Sequence, residues 1–141
     1  MRGQISVEYL IIIGIALGIL IPGILFFYTY SQSSEGSTTN AHLNDVGLKM
    51  VATAKGTYAQ GIGAWQTLEV TLPPEVTRVY VSGTELVFVY DTPSGLSEAV
   101  FFSTINMTSP TTDGNITAVH PGVTRFRFTS EGPRVLINET A

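Results

Sequence analysis

From Tyr9 to Tyr30 the chain carries no charged residue, and Ile, Leu, Gly and Phe make up most of the run. As an α-helix these residues extend about 33 Å at roughly 1.5 Å per residue, enough to cross a bilayer core of about 30 Å. One acid, Glu8, stands at the leading edge, and three residues precede Gln4. This order differs from an ordinary secretory signal, in which a basic region and a short apolar region are followed by a small-residue cleavage site. After Tyr30 comes Ser31-Gln-Ser-Ser-Glu-Gly36, a poor substitute for such a site. The apolar segment is therefore expected to be retained, with any processing on its N-terminal side.

Without the apolar run roughly 110 residues remain, enough for one modest core. The net charge is −4 and charged residues make up 13%, with seven Lys and Arg scattered along the chain. No basic surface points to nucleic acid. Cysteine is absent, which excludes disulfides, thiolate catalysis and cysteine-based metal sites. Arg2 lies on the N-terminal side of the run, and no Lys or Arg follows it before Lys49. The positive-inside rule then places the N-terminus in the cytoplasm and the body of the chain outside. Three sequons, Asn106-Met-Thr108, Asn115-Ile-Thr117 and Asn138-Glu-Thr140, fall in the last 36 residues and make these asparagines candidate N-glycosylation acceptors.

Pro22-Gly23 interrupts the run, and the missing proline amide predicts a kink rather than a break. Gly14 and Gly18, four residues apart, form a small-residue face on which two helices can approach closely. Ser31 to Asn40 reads as a frayed turn or short joint. Leu43, Val46, Gly47, Met50, Val51, Ala54 and Tyr58 then recur at helical spacing, with Thr39 or Asn40 as the expected cap. This stripe is expected to pack on the domain that follows.

Gly61-Ile-Gly63 ends the helical pattern. Strands are predicted over 67–72, 76–81, 85–90, 99–102, 116–119, 123–129 and 134–138, separated by turns rich in Gly and Pro. The fold class is therefore α+β: a long N-terminal hydrophobic helix followed by an antiparallel β-sandwich-like head.

Candidate chemistry is sparse. His42 and His120 are isolated and lack metal-ligand spacing. Ser, His and Asp occur in no nucleophile frame, and no Gly-rich phosphate loop follows a strand. The sequence predicts no enzyme, no metal and no cofactor. Trp65, Tyr80, Tyr90, Phe101, Phe102, Phe126 and Phe128 are assigned to the core by their place in strands, with an exposed sugar-binding or adhesive face as the alternative. Glu8 stands out, because a carboxylate at the edge of a lipid-embedded helix is costly unless it is paired or reaches the hydrated headgroups.

The pattern Gly3-Gln4-x-Ser6-x-Glu8-Tyr9-Leu10 ahead of a hydrophobic helix resembles the class III signal peptide of archaeal type IV pilin-like proteins. The resemblance implies that a prepilin peptidase cuts between Gly3 and Gln4 and leaves the helix on the mature subunit. It divides the chain into a leader (1–3), a long helix (4–60, hydrophobic over 9–30) and an extracellular β-rich head (61–141). It further implies that Glu8, in frame with Ser6 and Tyr9, neutralises the new N-terminal amine of a neighbouring subunit. The partners implied are copies of the chain in a helical filament, an assembly ATPase and a membrane platform, with the membrane as host before assembly. The function expected is that of an adhesive surface-filament subunit. Two alternatives share the same features: a monomeric membrane-anchored Ig-like binding or stator-type protein, and a minor pilin in a filament built of another subunit.

Overall fold

The structure is a computed structural model; it describes residues 2–116, 120 and 122–140, those of 2–6 and 32–37 by their backbone alone. A single α-helix, α1 (Arg2–Ala59), is followed among the described residues by seven strands: β1 (Trp65–Leu72), β2 (Val76–Ser82), β3 (Glu85–Thr92), β4 (Gly95–Phe102), β5 (Asn106–Thr108), β6 (Gly122–Ser130) and β7 (Arg134–Thr140). Two compact units divide the chain, Met1–Ser37 and Thr38–Ala141, so the division falls inside the helix.

Helical backbone passes through Pro22 and through 31–40 without interruption. The stretch Ser31–Asn40, expected as a frayed turn or short joint, has helical backbone. Its Ser, Thr and Gly are weak helix formers, but propagation through an already nucleated helix demands little of each residue. Thr39 and Asn40 consequently cap nothing. Asn40 Oδ1 instead accepts a 2.7 Å hydrogen bond from Tyr90 Oη on β3.

In the second unit the helix stripe joins the β core. Leu43, Val46, Met50, Val51 and Ala54 share one buried cluster with Val79, Leu86, Phe88, Phe126, Phe128 and Ile137. Thr57 is wholly buried at the end of the stripe, whereas the expected Tyr58 is 40% exposed. The Thr57 hydroxyl is satisfied by donating to the Thr53 carbonyl at 2.9 Å, so its burial leaves no orphan. Gly47 has a specific reason to be glycine: a Cβ there would overlap the ring of Phe101. That ring also meets Phe88 edge to face, with centroids 5.7 Å apart. Beyond Ala59 the helix closes with i→i+3 bonds, Gln60 N to Thr57 O and Gly61 N to Tyr58 O, and Gly61 takes φ +96°.

The strands form a four-stranded sheet, β1-β6-β7-β5, and a three-stranded sheet, β2-β3-β4. Every pairing is antiparallel except β5 with β7, which is parallel, so the first sheet is mixed rather than purely antiparallel. β5 is three residues long and too short to show alternation, which is why it left no mark in the sequence. Of the strand predicted over 116–119, only Ile116 is among the described residues. It is buried, and its amide donates to Val79 O at 3.0 Å along the outer edge of β2. Gly114 makes that approach feasible, because its φ is +77° and a Cβ would overlap the Val81 carbonyl. β3 is buried on both faces, through Leu86, Phe88 and Tyr90 on one and Val87 and Val89 on the other.

Candidate functional site

The first unit presents Val7–Ser31, a helical segment of 25 residues and the candidate membrane span. At about 1.5 Å per residue it is about 37 Å long, more than a bilayer core requires. Its large apolar side chains are exposed on every face of the helix, from Val7 through Ile13, Leu17 and Ile21 to Phe27. A helix that is apolar all round and unburied among the described residues is suited to lipid or to other helices, not to water. Tyr9 lies near one end, with Phe26, Phe27, Tyr28 and Tyr30 at the other, where aromatic rings fit the two membrane interfaces. The Thr29 hydroxyl donates to the Leu25 carbonyl at 2.9 Å and so leaves no unsatisfied donor in an apolar medium. Around Gly14, Gly18 and Gly23 nothing lies within 4 Å of where a Cβ would be, so these faces are open to another helix.

Gly3, Gln4 and Ser6 are in helical backbone at the start of α1. Glu8 and Tyr9 lie in the next turn, both exposed. Glu8 follows Gln4 by one helical turn, a rise of about 6 Å. Among the described residues Glu8 makes no ion pair; the pairs present are Lys49–Asp45, His120–Glu139, Arg125–Glu69 and Arg134–Glu131.

Other candidate residues are dispersed. Asp45 is taken by Lys49 at 2.7 Å, leaving His42 exposed on the helix surface. His120 Nε2 lies 3.5 Å from Glu139 Oε1. No group of three His, Asp or Glu side chains able to hold a metal converges among the described residues. Asn106 and Asn138 are exposed, and Asn115 is half-buried beside β2.

Three of the aromatics assigned to the core are not there. Phe126, Phe128 and Tyr90 are buried and Phe101 is half-buried against the core, but Tyr80, half-buried under Arg78, and Trp65 and Phe102, largely exposed, lie on the outer faces of their strands. Alternation identifies which residues share a face; it does not say which face is inward. On the outer face of β1 and β6, the Arg127 guanidinium stacks over the Trp65 ring at 4.9 Å, and Arg125 Nε donates to Glu69 Oε2 at 2.8 Å. Sequence reasoning missed this face. Its only sequence signal is the alternation Val123-x-Arg125-x-Arg127 along β6.

Residues 2–21 match the family model described as Class III signal peptide. Neither the curated proteins nor the solved structures contain a match to the chain. The matched signal and the apolar helix that continues beyond it are consistent with a type IV pilin-like precursor, anchored in the membrane and destined for the cell surface. Such a signal implies processing by a prepilin peptidase and handling by pilus assembly machinery.

Proposed function

We propose that the chain is a structural subunit of a type IV-like surface filament, cut between Gly3 and Gln4 and assembled through its apolar helix. In this reading residues 1–3 are the leader, 4–60 the long helix and 61–141 the extracellular head, with the helix from Thr38 onward bound into the head's core. The observation that carries it is the helix over Val7–Ser31, apolar on all sides and unburied among the described residues, which begins inside the matched signal and runs on beyond it.

Moving this helix from lipid into a filament removes no apolar surface from water, so the usual gain of about 25 cal/mol per Å² does not apply. Close packing at Gly14 and Gly18 and pairing of Glu8 must decide instead. Cleavage creates an α-amine at Gln4. In the dry centre of a helix bundle that amine and the Glu8 carboxylate of a neighbouring copy neutralise each other and set the axial register. Ser6 and Tyr9 flank the pair. The head, held outside the cell, supplies the adhesive surface, with Asn106, Asn115 and Asn138 as the candidate glycan acceptors.

N-terminal sequencing of material sheared from cells tests the reading. The expected sequence begins at Gln4; a mature chain beginning beyond Tyr30 overturns it. Glu8→Gln is expected to leave insertion and cleavage intact and to abolish sheared filaments. Normal filaments from that variant would remove the pairing argument.

A further inference from the structure

Each sheet of the head has an outer face with features a monomer does not use. On β4, an edge strand, Leu96, Glu98, Val100 and Phe102 point outward in one row. Leu96 and Phe102 are each 70% exposed, and Glu98 makes no ion pair among the described residues. Glu85 and Asp91 on the adjoining β3 share that face, and Arg78 of β2, stacked over the Tyr80 ring, lies on it beyond Val89, away from the β4 row. On the other sheet, the outer face of β1 and β6 carries Trp65, 59% exposed, and Val123, 68% exposed, with Arg127 and the Arg125–Glu69 pair between them. Arg127 forms no ion pair among the described residues; its stacking on Trp65 holds the guanidinium in place with its N–H edge available.

We propose that neighbouring copies meet through these unlike faces, the β4 row of one head lying on the β1–β6 face of the next. The two rows have the same two-residue spacing. Laid together in one direction, Leu96 meets Trp65, Glu98 meets Arg127, Val100 covers the Arg125–Glu69 pair, and Phe102 meets Val123. In the opposite direction Glu98 would fall on Arg125, which Glu69 already occupies, and Arg127 would face Val100. Charge therefore selects both the partner and the direction. Sheets packed face to face with nearly aligned strands give the required geometry. Because the contact joins two different surfaces, it leaves one of each free at the ends and, where the rotation between copies does not close a ring, propagates as an open chain, as a filament requires. This inference rests on the filament reading above.

Asn138 lies directly beside Arg127 in the β6–β7 register, so a glycan there would stand in the contact. The inference accordingly requires Asn138 to be bare in filaments.

The absence of native cysteine makes the test clean. The full chain carrying both E98C and R127C is expressed in cells and its sheared filaments are treated with a short bis-maleimide. The expected product is a ladder of dimers, trimers and longer multimers from the double variant. E98C alone and R127C alone should each stay monomeric, and a mixture of the two should stop at dimers. Filaments of the double variant that yield only monomers overturn the contact while leaving the filament reading in place. Cross-linking by E98C alone shows like-to-like pairing of β4 and overturns it as well. If even the unaltered chain yields no filaments, both readings fall. Should the cysteine pair itself disturb assembly, E98R and R127E are each expected to lose filaments on shearing and the double reversal to recover them; no recovery counts against the pairing. A glycan on Asn138 in intact filaments, read by mass spectrometry, also overturns the contact.

Discussion

Two halves of one helix meet opposite fates. Over Val7–Ser31 α1 is apolar around its whole circumference and its side chains are exposed. From Thr38 to Ala59 it is amphipathic: Leu43, Val46, Met50, Val51 and Ala54 are buried among the strands, and Asp45, Lys49 and Lys55 face out. The backbone is the same, so the difference lies in where the partner comes from. The second half finds its apolar partners within the chain. The first half has none among the described residues and is suited to lipid or to other helices.

That contrast makes quantitative demands, which can be read as the unfolding of the head of the full chain in detergent micelles by near-ultraviolet circular dichroism. The largest effect belongs to the shared core. Phe88 is wholly buried and touches Phe101, so Phe88→Ala should cost about 3–5 kcal/mol of head stability. Ile13→Ala, an apolar truncation in the uncovered half, should leave the same transition unmoved. Equal losses from both would show that the two halves share one cooperative core and would dissolve the comparison.

An intermediate effect is expected at Gly47. In an ordinary exposed helix glycine to alanine stabilises by about 1 kcal/mol. Here the new methyl would strike the Phe101 ring, and Gly47→Ala should instead destabilise by about 1–3 kcal/mol. The same change at Gly18, where nothing lies within 4 Å, should be silent for the head and show itself only in the yield of sheared filaments. A stabilised Gly47→Ala head would mean that Phe101 moves aside at no cost.

The smallest effect tests the point where the helix is tied to the sheet near the start of the second unit. Tyr90→Phe removes the 2.7 Å hydrogen bond to Asn40 Oδ1 and should lower stability by about 0.5–1.5 kcal/mol. In the Asn40→Ala background the same change should cost much less, because the acceptor is already gone. An undiminished loss in that background would assign the effect to packing of the Tyr90 ring alone.

Much of the molecule is legible from residue order. The uncharged run from Tyr9, the signal pattern at its head, the Gly61–Gly63 helix stop and the hairpin at Gly83 all depend on neighbours a few positions apart. Six of the predicted strands form, and several extend by one to four residues, because a paired partner holds ends that local propensity leaves undecided. The misplacements share a cause. Thr39 and Asn40 look like caps because of their side chains, yet a helix already running passes through them. Trp65 and Phe102 look like core because they are aromatic, yet register turns both outward.

Residue order by itself determined that a long apolar helix precedes a β-rich head, since hydropathy and charge along the chain are one-dimensional properties. Only the tertiary structure decided that Thr57 rather than Tyr58 closes the buried stripe, that β5 lies parallel to β7, that Gly47 exists for Phe101, and that Arg127 rests on Trp65. Each of these joins residues from different elements, and which of them touch is set by close packing in three dimensions, to which no local pattern is sensitive.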